Sequence, residues 1–475
     1  MSDTITTQVA VLGGGPGGYA AAFAAADLGL KVALVETEPN PGGVCLYRGC
    51  IPSKTLLHVA KVISEAREGA EWGVKFSKPR IDLDTLRARK NAVVAKMTGG
   101  LGQLSKARNI TYLQGRGSFE DSQTLKIVNE KSGAHQTLHT EHTILATGSR
   151  PATLPNLYLE SDRLMNSSTA LELEDIPKSL LVVGGGYIGL ELGSVYAALG
   201  TKVTVVEMTP GLLPGADADL VKVLHGRMEE SLHEVLLSTK VMEIAEVSNG
   251  LRVKLKPAKG RMRQRTFEKV LVSIGRKPNS SGIGLRNTKA EKDDKNFVKV
   301  DAQRRTSDPH IYAIGDVAGE PMLAHKASHE GRVAAEVIAG QKVAFEPAAI
   351  PAVVFTDPEV AWCGITESEA KAQDLNVDIA RFPWGASGRA TTIGRDDGLT
   401  KIISDPDSGR ILGMGIVGSG AGELIGEGVL AVEMAATALD VGHSIHAHPT
   451  LSETLMESAE MIFGHGTHVY RPKKK

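Results

Sequence analysis

Cysteine is scarce in this 475-residue chain, which carries only Cys45, Cys50 and Cys363. Three thiols exclude a disulfide-stapled secreted fold and a multi-cysteine zinc or iron–sulfur protein. Net charge is almost absent as well, at −1 from 54 basic and 55 acidic side chains. With neither sign in excess, nothing draws the chain to nucleic acid or to a membrane surface. No targeting segment is expected either: the start MSDTITTQ carries Asp3 and lacks a basic n-region, and it does not read as an Arg-rich import leader. One uncharged run, Val9 to Ala26, is as long as a short membrane span. Gly13, Gly14, Gly15, Pro16, Gly17 and Gly18 interrupt it, so it reads as strand, loop and helix. A cytoplasmic protein is expected. The 42% of hydrophobic and 23% of charged residues exclude intrinsic disorder, and the length predicts about three domains. Glycine is in surplus, 52 residues or about 11% against a usual ~7%, so tight backbone turns matter.

An internal repeat organises the chain. The segment Gln8–Glu36 aligns without a gap on Ser179–Glu207, at one constant offset throughout. Gly13, Gly15, Gly18, Gly29 and Glu36 fall on Gly184, Gly186, Gly189, Gly200 and Glu207. Each copy has a β-rich apolar run, a glycine turn, an Ala/Leu-rich helix, a closing glycine and a second β-rich run, which makes a βαβ unit. Two copies in register predict two nucleotide-binding domains. Between and after them, Ala60–Gly102 reads as a long charged helical excursion ended by Gly99, Gly100 and Gly102. Short strands are expected over about 110–145, closing in ATGSRP, and again after Glu207, closing in SIGRKPN. A helix is expected from about His325 to Ala339, and strands from Pro351 onward. The basic tail Lys473–Lys475 is expected to be disordered, and with no low-complexity linker the domains should pack tightly.

Three stretches carry chemistry. In each glycine turn the residues Gly13, Gly15 and Gly18, or Gly184, Gly186 and Gly189, permit a tight turn and close approach of a pyrophosphate to a helix N-terminus. Glu36 and Glu207 close the second strands, where a carboxylate accepts ribose hydroxyls. At Glu207 a negative charge disfavours the 2′-phosphate of NADP and favours NAD; the alternative is a solvated strand end. In GGVCLYRGCIPSKTL (Gly42–Leu56), Cys45 and Cys50 lie close together, directly after the first βαβ unit. A redox pair beside a flavin is favoured, with a metal pair or two core thiols as alternatives. A metal would need two further ligands and only His58 is near, so no metal site is expected. Cys363 reads as a buried inert thiol. HAHPTLSE supplies His448 and Glu453, which read as a base oriented by a carboxylate, as a core histidine, or with His446 as a metal pair.

These motifs together make the chain similar, over essentially its whole length, to the flavoprotein disulfide reductases and within them to the dihydrolipoamide dehydrogenases. The resemblance rests on the paired glycine turns, GGVCLYRGCIPSK, ATGSRP, SIGRKPN, AIGD (Ala313–Asp316), MLAHKASHEG (Met322–Gly331) and HAHPTLSE. It implies an α/β fold with two Rossmann-like dinucleotide-binding domains and a C-terminal α+β dimerisation domain. The boundaries implied are an FAD domain over 1–150, an NAD domain over 151–279, a return to the FAD domain over 280–349 and an interface domain over 350–475. The implied reaction oxidises dihydrolipoyl groups of 2-oxoacid dehydrogenase or glycine-cleavage complexes and reduces NAD+ through a redox-active disulfide and FAD. Implied catalytic residues are Cys45, Cys50, Lys54, Glu191, His448 and Glu453, with Lys54 paired to Glu191 near the reactive edge of the flavin. Without the family those two charges would read as surface residues. The implied cofactor-binding set adds Gly43, Lys54, Gly117, Thr147, Gly148, Ser149, Tyr187, Ile188, Val241, Gly275, Asp316, Met322, Leu323, Ala324 and His325 to the glycines and glutamates of the two turns. In the family the histidine reaches the disulfide of the other subunit, which implies a homodimer, and its bond to proline (here Pro449) is in cis.

The chain departs from the family at two places. Tyr47 and Arg48 stand between the cysteines where the family has Asn and a small apolar residue. Tyr187 takes a position that is aliphatic in most dihydrolipoamide dehydrogenases and aromatic in glutathione reductases, where it could cover the flavin. The alternatives are another NAD(P)H-dependent disulfide reductase, such as a glutathione reductase, which should show basic residues in VVEMTPGLLPG after the second β-run, and a flavin-binding scaffold without catalysis. Neither nucleic acid nor membrane is an expected partner.

Overall fold

The structure is a computed structural model that describes residues 4–470, so the tail Lys473–Lys475 lies outside the described residues. Helices in chain order are α1 (Pro16–Asp27), α2 (Gly43–Arg48), α3 (Cys50–Glu68), α4 (Leu83–Ala107), α5 (Ser167–Glu172), α6 (Tyr187–Leu199), α7 (Ala218–Ser231), α8 (Ala324–Ile338) and α9 (Glu367–Ala372). Gly388–Thr392, Ala421–Glu433, Ala438–His443 and Glu453–Ile462 follow.

The apolar run Val9–Leu12 ends the strand Thr4–Leu12 and is buried throughout, as a strand covered on both faces must be. It pairs in parallel with Val32–Glu36 on one side (Val9↔Val32) and His135–Leu145 on the other (Leu12↔Leu145). Thr111–Gln114 extends the sheet beyond Val32–Glu36, and Ile311–Ala313, from far along the chain, joins His135–Leu145 in parallel. Strand order therefore turns around between the first strand and His135–Leu145, which is where an open α/β sheet forms its ligand crevice. Small residues let α1 and α8 approach closely: a Cβ on Gly331 would stand 2.5 Å from the carbonyl oxygen of Gly17.

The second repeat builds a second parallel sheet of Glu234–Leu236, Lys202–Val206, Ser179–Val183, Lys269–Val272 and Leu164–Met165. An antiparallel meander, Thr239–Val247, Gly250–Pro257 and Arg263–Phe267, covers it. Two short antiparallel strands, Ser149–Pro151 and Arg276–Pro278, join the two nucleotide-binding halves at the outward and return crossings. The C-terminal part is a five-stranded antiparallel sheet from Ala352–Val354 to Asp378–Pro383, with Ala421–Glu433 and Glu453–Ile462 packed on it. Its core is built on Trp384, Phe382, Met414 and Ile416. The expected architecture, two Rossmann-like domains with a C-terminal α+β domain, is observed. Cys363 is 1% exposed in that last core, and burial pushes its thiol up to about 12, which makes it unreactive.

One expectation is corrected. The excursion after the first βαβ unit is two helices, α3 and α4, and α4 runs unbroken through Gly99, Gly100 and Gly102 to Ala107. Each glycine costs a helix only about 1 kcal/mol, and at Gly102 a Cβ would lie 2.1 Å from Oδ1 of Asn40, so a larger residue there would have to displace that side chain. No helix among the described residues is long and apolar enough to cross a membrane.

Candidate active site

The first glycine turn shapes the site. Gly15 caps α1 without a side-chain partner, so the first-turn amides of the helix remain free to meet an anion. Gly43, at φ +55°, opens α2 against this turn, where a Cβ would stand 2.5 Å from the Cα of Gly15. These backbones wall a cavity of about 620 Å3 that also reaches Glu36, Gly117, Thr147, Gly148, Ser149, Asp316, Met322 and Ala324. Leu323 caps the N-terminus of α8 and His325 Nε2 lies 2.8 Å from the carbonyl of Pro351, both outside that wall. Glu36 is held at the edge by the amides of Gly14 (2.7 Å) and Thr37 (2.6 Å).

Both cysteines open into the cavity, Cys45 from α2 and Cys50 from the first residue of α3, and both are free thiols. Their electrostatics are unequal. The Cys45 thiol donates a hydrogen bond to the Cys50 sulfur, and with Lys54 nearby this outweighs burial and lowers Cys50 to about 7. The same hydrogen bond, reinforced by burial, pushes Cys45 well up. The pair therefore shares one proton, carried by Cys45, and leaves a thiolate at Cys50 near neutral pH.

One helical turn past Cys50 along α3, Lys54 Nζ sits 2.8 Å from Oε2 of Glu191 and 4.5 Å from the centre of the Phe355 ring. Glu191 is 3% exposed on α6, and its other oxygen accepts the Phe355 amide at 3.0 Å. The two charges that sequence alone reads as surface groups thus form a pair with its carboxylate buried, facing the cavity from two domains. In the same cavity wall, Ser149 Oγ donates to Oδ2 of Asp316 at 2.5 Å and accepts from Arg276 Nε at 2.6 Å. Tyr187 opens α6 in the same cavity, where burial pushes its phenol up to about 12. Ile188 lines it too.

The second glycine turn repeats the first in three dimensions. Gly13 and Gly184 both have φ +109°, and Gly186 leaves α6 without a side-chain cap. Glu207, 6% exposed, accepts the Gly185 amide at 2.7 Å and the Thr209 amide at 2.8 Å. At Gly189, a Cβ would stand 2.2 Å from the carbonyl of Gly184, so helix and turn must touch there. Val241 packs on the core beneath this turn, and Gly275, at φ +106°, precedes Arg276. Both turns, with uncapped helices and fixed carboxylates, fit dinucleotides.

His448 and Glu453 lie in the C-terminal domain, away from the cavity wall. Nδ1 of His448 is 2.8 Å from Oε1 of Glu453, and the bond to Pro449 is cis. Burial works to raise the Glu453 carboxyl, but the Thr450 amide and His448 outweigh it and hold it below the ordinary value. The ring itself is 72% exposed, so Nε2 is available to another molecule. His446 is occupied elsewhere, with Nε2 2.8 Å from Glu427. Among the described residues the sole cluster with metal-ligand spacing is Asp217, Asp219 and Glu367, remote in sequence from both histidines. Between the cysteines, Tyr47 donates to the carbonyl of Asn40 at 3.1 Å and Arg48 pairs with Glu38, so both side chains tie α2 to the loop after Val32–Glu36.

Sequence reasoning misses Arg276, Phe355 and Glu330. Arg276 stands inside SIGRKPN, so its motif is visible although its hydrogen bond to Ser149 is not. Glu330 stands inside MLAHKASHEG; fully buried, it accepts the Gly315 amide at 2.6 Å and pairs with Arg304 and Lys326, both at 2.9 Å. Phe355 has no sequence signal.

Residues 7–331 match the family described as pyridine nucleotide-disulphide oxidoreductase, and residues 350–459 match its dimerisation domain. The chain is 50% identical to a dihydrolipoyl dehydrogenase of Haemophilus influenzae over 475 residues, covering 100% of this chain and 99% of that one. A dihydrolipoyl dehydrogenase of Halobacterium salinarum is 43% identical, with 97% of each chain covered. Among solved structures, LpdA of Mycobacterium tuberculosis superposes with a TM-score of 0.89 at 28% identity, covering 96% of this chain and 99% of that one.

Proposed function

Because this chain belongs to the pyridine nucleotide-disulphide oxidoreductase family, we propose that it oxidises a dihydrolipoyl group and reduces NAD+. The cofactors are FAD and NAD, and the observation that carries the substrate reading is full-length identity of up to 50% to dihydrolipoyl dehydrogenases. FAD, when bound, supplies the two-electron relay between a dithiol and a nicotinamide.

In the oxidised enzyme Cys45 and Cys50 form a disulfide, and a substrate thiolate attacks Cys45 and releases Cys50. The second substrate thiol then closes the lipoyl ring and releases Cys45, so one disulfide is made and one is lost. His448 of the partner subunit accepts the proton that the attacking thiol gives up, and the partner subunit's Glu453 fixes its ring. Support for a shared site is the 72% exposure of the imidazole together with its absence from the cavity wall of its own chain. Lys54 favours the Cys50 thiolate and negative charge beside it, and Glu191 holds Lys54 in place. Gly13, Gly15, Gly18, Glu36, Gly43, Ser149 and Asp316 would hold FAD, and Gly184, Gly186, Gly189 and Glu207 would hold NAD.

The dimerisation domain makes a second copy the first partner. Lipoyl domains of a 2-oxoacid dehydrogenase or glycine-cleavage complex are the proposed electron donors, and the cytoplasm the proposed compartment. The test is an assay of the flavin-loaded protein with dihydrolipoamide and NAD+, beside NADPH with glutathione disulfide. Turnover is expected in the first assay alone. Glutathione disulfide reduction without lipoamide turnover would overturn the assignment.

A further inference from the structure

We propose that Lys401, a buried lysine far in sequence from Cys45 and Cys50, is a positioning residue for the NAD ribose site, acting through the loop that joins Glu207 to α7. The inference rests on the assignment of Glu207 to NAD.

Lys401 lies on the strand Leu399–Ser404 of the C-terminal domain and is 1% exposed. Its ammonium contacts three carboxylates, Asp217 at 2.6 Å, Asp219 at 2.8 Å and Glu367 at 2.8 Å. Glu367 belongs to its own domain, on α9. Asp217 and Asp219 come from the other domain, at the cap and first turn of α7. Arg381 adds a second bridge, to Asp219 at 2.7 Å and to Glu367. Asp217 also accepts the Glu367 amide at 3.0 Å, so the contact is directional as well as electrostatic. Both cations are held above their ordinary values: burial opposes this, and the surrounding carboxylates outweigh it.

The far end of the network is Glu207. Residues 208–216 run from Glu207 to the α7 cap and fold back on the second glycine turn, with the Leu213 amide donating to the carbonyl of Gly185 at 3.0 Å. Leu212 and Leu213 are buried beneath the turn. Gly185 in turn donates its amide to Glu207. The loop is therefore pinned at Glu207 by its own domain and at Asp217 by Lys401 of another. Carboxylate oxygens of Asp217, Asp219 and Glu367 lie within 4.8 Å of one another. Without the ammonium between them they repel, and through Asp217 and Asp219 that repulsion bears on the α7 end of the loop. This network touches no part of the cysteine cavity, so its effect should fall on nucleotide and spare the dithiol.

The experiment measures binding of ADP-ribose, which presents the adenosine ribose but exchanges no hydride, to the oxidised flavin-loaded enzyme. Lys401→Met should weaken ADP-ribose binding and raise the KM for NAD+ by about 2- to 30-fold, the range for couplings carried through residues that do not touch the ligand. Flavin content and the KM for dihydrolipoamide should stay at wild-type values. Arg381→Met, at a half-buried position, should shift binding the same way by a smaller factor, and it decides the matter if Lys401→Met does not fold. Glu207→Ala is the control for the parent assignment. Lower thermal stability with unchanged ADP-ribose affinity in both network variants, while Glu207→Ala weakens binding, would make Lys401 a structural residue only and overturn the inference. No effect of Glu207→Ala would overturn the ribose assignment and this inference with it.

Discussion

A single shared proton sets the reactivity of Cys45 and Cys50. Cys50 is brought to about 7 by the Cys45 hydrogen bond first and the Lys54 charge second. Its thiolate is therefore the majority form above about pH 7 and is lost as pH falls through that value. In the dithiol form, the alkylation rate of Cys50 should rise with a midpoint near pH 7, and Lys54→Met should move the midpoint upward. A midpoint that ignores Lys54 would remove its electrostatic role. Cys50→Ser should abolish lipoamide turnover while flavin stays bound. At the nucleotide end, Glu207→Arg should raise the KM for NAD+ about tenfold, since an unmatched hydrogen-bonding group costs roughly 1–3 kcal/mol, and should lower the KM for NADP+. Equal use of NADH and NADPH by the wild-type protein would contradict the role given to Glu207.

At the scale of elements, helix N-termini and buried charge do the positioning. Tyr187 opens α6 within the cavity; it is the proposed cover over the nicotinamide position, so its replacement by alanine should change NADH inhibition and leave dihydrolipoamide oxidation by the disulfide intact. Glu330 on α8 holds the Gly315 amide, one residue before Asp316. Glu330→Ala would leave Arg304 and Lys326 without their buried partner, a loss of about 3–5 kcal/mol, read as a lower unfolding temperature and reduced flavin retention. These elements also show what is legible in the sequence. Each βαβ unit is local, with all its signals inside one short stretch of chain, so both turns, both carboxylates and the limits of α8 can be placed from spacing. Helix α4 departs from expectation because three glycines look like a stop until Asn40, from a much earlier loop, is seen against Gly102. Lys54 with Glu191, Arg276 with Ser149 and Lys401 with Asp217 are pairings across domains. No local pattern announces them, and only the family resemblance suggests the first.

For the molecule as a whole, one chain holds a dithiol in a nucleotide cavity and, elsewhere, an exposed imidazole fixed by a carboxylate. The two halves of the proposed chemistry meet if two copies exchange them across a two-fold axis. The most direct test is to refold Cys50→Ser protein together with His448→Ala protein. Each parent homodimer has two damaged sites. In a mixed dimer, the His448→Ala chain offers an intact dithiol to the intact histidine of the other chain, and the opposite site carries both lesions. Random pairing makes about half the dimers mixed, so the account predicts recovery to roughly one quarter of wild-type lipoamide turnover. No recovery, with mixed dimers demonstrated in solution, would contradict it.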